Sequence, residues 1–197
     1  MKALSAASLD RFLVLQKSNR KLRLYACACA RRVWHLINRQ ELKDCVERSE
    51  RFAEGGLHDD FRIETFGLGL LYSRSRAGLT VVSTAWETAL GAAEHAASNA
   101  AQAAPRRVGR KAQTHLINCI FGLQNSRKVL LDPRWLTSTV VDLAQAIYDG
   151  KAFDRMPILG DALMDAGCDN EEIIAHCRGE RPHVRGCWVV DLLTGKS

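Results

Sequence analysis

Apolar residues recur at spacings of three and four along nearly the whole chain, and no segment sustains the alternation of two that a half-buried strand needs. That single property restricts the fold to packed helices, and cap and breaker residues say where each helix begins and ends. Leu9, Phe12 and Leu13 make a first short stripe, with Ser8 as its expected N-cap. Between Arg20 and Ile37, the residues Leu22, Tyr25, Ala26, Cys29, Val33, Leu36 and Ile37 fall within about 60° of one line at ~100° per residue. Leu24, Cys27, Arg31 and His35 share the other side, so Cys27 and Cys29 diverge and cannot chelate one ion from a regular helix.

Asn38 followed by Glu41 reads as a capping box opening a second helix, with Leu42, Cys45, Val46, Ser49, Phe52 and Ala53 inward and Gly55-Gly56 as its stop. Residues 57–79 are ambiguous, because F-G-L-G-L-L-Y fits a strand, a loop or a helix weakened by glycine. Thr80 to Ala104 carries ten alanines in 25 residues and is expected to form one long helix, softened at Gly91. Pro105 to Lys111, P-R-R-V-G-R-K, is expected to be a basic loop between two halves.

Helical spacing resumes through Leu116, Ile117, Ile120 and Phe121. Asp132-Pro133 reads as N-cap and N1 of a short turn presenting Trp135. A helix through Val140, Ala144, Ile147 and Tyr148 follows. Another opens at Pro157 and stops at Gly167, and a third is capped by Asn170. The closing W-V-V-D-L-L is expected to be helical. The predicted fold is all-α: a multi-helix protein of two packed halves, residues 1–104 and 112–197, joined by the basic linker 105–111.

Composition narrows the class. With 197 residues and 47% hydrophobic content the chain can bury a core. No run reaches the roughly 20 apolar residues that span a bilayer. The opening M-K-A-L-S-A-A-S-L-D-R is a poor export signal, so a cytoplasmic location and no membrane partner are expected. Seven cysteines without a C-x-x-C then read as thiols, mostly small buried hydrophobes. Of the net charge of +6, residues 1–111 contribute +8 and residues 112–197 contribute −2.

Five stretches are distinctive as phrases: R-K-L-R-L-Y-A-C-A-C-A-R-R-V-W-H-L (Arg20 to Leu36), V-E-R-S-E-R-F-A-E-G (Val46 to Gly55), D-P-R-W-L-T, A-F-D-R-M-P-I-L-G-D-A-L-M-D-A-G-C, and H-C-R-G-E-R-P-H-V-R-G-C-W-V-V-D-L-L-T-G-K. They resemble a paralogous family of planctomycete bacterial proteins, over both ends of the chain but little of 57–112. The resemblance carries no assigned activity. Members often look like A-C-A-C-C-R-R where this chain has Ala30, which argues against a metal site built on that pair of cysteines.

Ligand-capable side chains concentrate between Cys168 and Lys196, which holds three of the seven cysteines, two of the six histidines and one of the four tryptophans. Cys168, His176, Cys177, His183 and Cys187 could supply the four N/S ligands of a tetrahedral zinc site. Against that, the paired knuckle is missing, and His176 and Cys177 diverge by about 100° on a helix. His183, Cys187 and Asp191 stand at i, i+4 and i+8, which suggests an activated thiol, although Gly186 interrupts the helix such a row requires. Arg106, Arg107, Arg110 and Lys111, with Arg20, Lys21 and Arg23, form a candidate surface for DNA or RNA. Trp34, Trp86, Trp135 and Trp188 read as core.

The reading that follows is a non-enzymatic interaction or scaffolding module with a protein partner and no cofactor. Its alternatives are nucleic-acid association and a zinc-stabilised domain. The terminal segment is expected to act as a clasp without metal, docking through Ile173, Ile174, Cys177, Trp188 and Leu192. Arg185 is left to reach a carboxylate or helix-end carbonyls.

Overall fold

Caps and breakers divide the chain into α-helices, with no strand among the described residues, and the fold is all-α. The computed structural model describes residues 5–103, 106–122, 129–180 and 182–196, with backbone alone at Ala6 and at 106–110. Two compact units emerge, Met1–Thr114 and His115–Ser197.

The first unit contains α1 (Ala6–Val14), α2 (Asn19–Arg32), α3 (Gln40–Ala53), α4 (Asp59–Tyr72), α5 (Arg76–Thr84) and α6 (Ala89–Ala103). Its centre is α2, buried continuously from Leu24 to Ala30 and packed mainly on α6. Ala89, Ala92, Ala93, Ala96, Ala97 and Ala100 line the buried side of α6, and such small side chains let helix axes approach closely. Two polar contacts lie inside the unit. Ser49 and Thr84 hydroxyls lie 2.8 Å apart, and the nearly buried Glu50 carboxylate accepts from Arg31.

Several local expectations give way here. Ser5, not Ser8, caps α1, accepting from the Ser8 amide at 3.1 Å. The Asn38/Glu41 box does not form, and Arg39 precedes α3 without a side-chain cap. The ambiguous 57–79 stretch is mostly α4, where Gly69 earns its place by packing. A Cβ there would stand 3.1 Å from Cγ2 of Val82 on α5.

The single long helix expected from Thr80 is two, broken over Ala85–Thr88. Trp86 folds back over α6 so tightly that a Cβ on Gly91 would come within 2.6 Å of its ring. The carbonyls freed by the break are taken by two arginines. Arg23 donates to Trp86 and Glu87 at 3.0 and 2.9 Å, and Arg62 donates to Ala85 at 3.2 Å. The expected loop 105–111 is also helical from Arg106, as the first turns of α7 (Arg106–Phe121); Pro105 lies outside the described residues. The division between the two units falls within α7.

The second unit continues with α8 (Ser138–Gly150), α9 (Met156–Asp165), α10 (Glu171–Cys177) and α11 (Trp188–Thr194). Expected punctuation is present. Asp132 accepts from Arg134 at a 3₁₀ turn, Asn170 accepts from Glu172 and Ile173, and Gly167 takes φ of 80°. The core gathers Val140, Ile147, Met156, Leu159, Leu163, Ile173, Val189 and Leu193. Arg185 meets its expectation, donating to the Tyr148 carbonyl at 3.3 Å and lying over that ring. Its carbonyl acceptor stands in the last turn of α8, a helix end with orphan acceptors to satisfy.

Candidate metal centre

Three elements of the second unit deliver four ligand atoms to one point. Cys119 comes from the last turn of α7, which buries Leu116, Ile117 and Ile120. His176 comes from the last turn of α10, held in register by the Asn170 cap. His183 and Cys187 bracket the turn before α11, where Gly186 adopts φ of 86° and the Cys187 amide donates to the Val184 carbonyl at 3.0 Å. The expected continuous His183–Cys187–Asp191 helix face is therefore absent, because α11 begins only at Trp188.

The ligand atoms of Cys119, His176, His183 and Cys187 all lie within 4.8 Å of one another. Nε2 of His176 stands 3.1 Å from Sγ of Cys187, and Nδ1 of His183 stands 3.8 and 3.9 Å from the sulfurs of Cys119 and Cys187. Tetrahedral zinc, with Zn–S of ~2.3 Å and Zn–N of ~2.0–2.1 Å, requires edges of about 3.3–3.8 Å. Those three sulfur–nitrogen edges lie within about half an ångström of that polyhedron, while the group as a whole spans up to 4.8 Å and must contract to close around an ion. Both sulfurs are buried and both imidazoles are half-buried. A cavity of about 540 Å³ borders the group, lined by Asn118, Glu172, Gly179 and Pro182 beside the imidazoles, and offers an entry path.

The two sulfurs of the group differ in their electrostatics. Burial opposes ionisation of Cys187, but donation from the Cys119 thiol and the two imidazoles outweighs it and holds Cys187 well below the usual thiol range. The same contact, with burial, pushes Cys119 well above that range. The Trp188 indole N–H, a donor only, points at Nδ1 of His176 from 3.1 Å. The proton of that ring therefore sits on Nε2, facing the Cys187 sulfur. His183 is less satisfied. Its Nε2 is buried without a hydrogen-bond partner among the described residues.

Of the five zinc candidates from the sequence, three enter the cluster. Cys168 and Cys177 do not, and both lie in the apolar core. The adjacent-residue argument explains Cys177: with His176 turned to the site, its neighbour faces α9, where a Cβ on Gly160 would lie 3.1 Å from Cys177 Cβ. Cys119 was missed. It was the one cysteine of residues 112–197 outside the terminal tract, and the lack of a convincing fourth ligand inside that tract was the available signal. Asp191 is buried on α11 and is not a member.

Three of the candidate nucleic-acid residues are engaged within the first unit. Arg20 pairs with Glu54 at 3.2 Å, and Lys21 is half-buried with an intramolecular partner. Arg23 is spent on the carbonyls after α5, and burial followed by Arg62 lowers its pKa. Lys111 is exposed, while the side chains of Arg106, Arg107 and Arg110 lie outside the described residues. No described helix is long and apolar enough to cross a membrane. Comparison with protein-family models, curated proteins and solved structures returns no match to this chain.

Proposed function

We propose that His115–Ser197 is a zinc-stabilised helical domain within a non-enzymatic interaction protein. The observation that carries this reading is the mutual approach of two sulfurs and two imidazole nitrogens inside 4.8 Å. Two thiolates and two neutral imidazoles around Zn²⁺ sum to zero charge, so the filled site is compatible with burial where an unpaired thiolate is costly. A mixed S₂N₂ set of this geometry suits zinc better than calcium, magnesium or manganese, which favour oxygen donors. Four protein ligands leave no open position, which supports a structural role over a catalytic one.

Coordination through His176 Nε2 requires the ring proton to move to Nδ1, so the Trp188 indole has to swing away. Trp188 fluorescence is thus a built-in reporter of filling. The test is replacement of zinc by Co²⁺. Tetrahedral S₂N₂ coordination gives intense visible d–d bands with sulfur-to-cobalt charge transfer, which His176→Ala removes. Absence of those bands after zinc is stripped and Co²⁺ supplied in its place, with the helical circular dichroism recovered, refutes the assignment.

A second reading rests on the 3.1 Å His176–Cys187 contact and the depressed Cys187 pKa, which together resemble an activated nucleophile. Cys187 is 0% exposed, which favours a structural role for its sulfur over attack on a substrate. Rapid alkylation of Cys187 by iodoacetamide in metal-loaded, folded protein is the outcome that would favour catalysis.

A further inference from the structure

The first unit carries a surface that its own core does not explain. On α4, Arg62, Thr65, Phe66, Gly69 and Tyr72 turn inward, yet Phe61, Ile63, Leu68, Leu70 and Leu71 remain 37–65% exposed. Ile63, Leu70 and Leu71 stand on the outer arc of the helix, Phe61 and Leu68 flank the inward face, and the exposed Glu64 lies among them, 3.9 Å from Arg48; five large exposed apolar side chains on one helix still exceed the scattered exposure of ordinary surfaces. In the middle of that arc is Gly67, where a Cβ would meet nothing within 4 Å. Gly69, two residues on, is packed against Val82, so the two glycines do different work. A glycine on the exposed face lowers helix propensity without improving internal packing, and it lets a second backbone come close.

The charges at the two ends of α4 choose the occupant. Asp59 and Asp60 open the helix, and Arg74 follows its end at Ser73. Asp59 is held by Arg62, while Asp60 and Arg74 are both exposed. A second α4 laid parallel sets like charges together. Laid antiparallel about Gly67, it sets Asp60 of one copy beside Arg74 of the other and Ile63 beside Leu71, because each pair is equally spaced from Gly67. The helix is therefore complementary to itself in one orientation only.

The geometry points to a two-fold, antiparallel homodimer formed through α4, with Gly67 at the crossing. The helix is 14 residues, or about 21 Å, long, so the contact is smaller than the standard ~800 Å² per partner and the association is weak. It is independent of the zinc reading, since α4 belongs to the first unit.

Sedimentation velocity on the full chain tests it, over about a hundredfold range of protein concentration reaching high micromolar, since dimer population follows mass action. Wild type should shift from monomer to dimer, and Ile63→Glu or Leu71→Glu should weaken the dimer by about tenfold or more. Asp60→Arg or Arg74→Asp alone should weaken it severalfold, and the two together on one chain should restore it. Chelators should leave it unchanged. These positions are exposed, so helical circular dichroism will verify that each variant folds. A monomer throughout the range, which would give the face to some other partner, overturns the proposal. So does failure of the double charge reversal to recover what the single reversals lose.

Discussion

The two units use the same residue type in opposite ways. In the first, Cys27, Cys29 and Cys45 are buried, Cys45 donating to the Thr65 carbonyl and Cys29 meeting the Tyr25 hydroxyl, and desolvation raises all three pKa values, Cys29 to about 12. In the second, Cys119 and Cys187 are equally buried but face imidazoles. The difference follows helix length. The first unit has helices of 14 and 15 residues zipped by alanines, whereas α10 and α11 have seven residues each. Helices so short are marginal alone, since isolated helices need ~12–15 residues. A unit made from them gains most from a staple, and structural zinc sites supply on the order of 10 kcal/mol of binding. Burial of a cysteine therefore does not state its role; the groups facing its sulfur do.

The largest effect should come from breaking the staple. His176→Ala or Cys119→Ser should abolish cooperative melting of His115–Ser197 while leaving protection of α2 and α6 intact, as read by amide hydrogen exchange. Equal loss of protection in both units would erase the distinction drawn between them.

Acid should separate the units next. The Cys187 pKa is depressed in the folded state, so its contribution is present above the unfolded thiol value and is lost as pH falls through the folded one. Metal binding needs both thiolates and weakens in the same direction. Cys29 has the opposite sign: its contribution holds below the unfolded value and is lost as pH rises from there through about 12. Melting followed from neutral to mildly acidic pH should therefore show the second unit destabilised and the first nearly unchanged.

Within the first unit, Arg23→Ala should cost about 2 kcal/mol, because it strands the Trp86 and Glu87 carbonyls. Arg23→Lys should recover little, since one ammonium cannot reproduce the fork. Denaturant unfolding checks both. The smallest test compares two glycines of one helix. Gly69→Ala should destabilise by ~1–2 kcal/mol through its 3.1 Å approach to Val82. Gly67→Ala, in open space, should stabilise the monomer by roughly 0.5–1 kcal/mol.

What the sequence disclosed follows the range of each interaction. Asn170, Asp132-Pro133 and Gly167 act within a few residues and were legible as caps and stops. The α4 helix was not, because Gly67 and Gly69 weaken it locally and only the contact with Val82 shows what Gly69 gains. The break at Ala85–Thr88 was hidden because Arg23 and Arg62, distant in sequence, stabilise it. Three of the four site residues were visible as a local concentration of Cys and His. The fourth, Cys119, reaches them only through the packing of α7, and spacing carries no information about that.

The most direct test of the account is the metal content of the purified full-length chain, measured by elemental analysis after gel filtration. About one zinc per chain is expected, and it should be lost in Cys187→Ser and removed by a strong chelator together with the fold of His115–Ser197. A chain without stoichiometric metal, whose second unit melts cooperatively and is unmoved by chelator, would contradict the account and return the cluster to an ordinary buried contact.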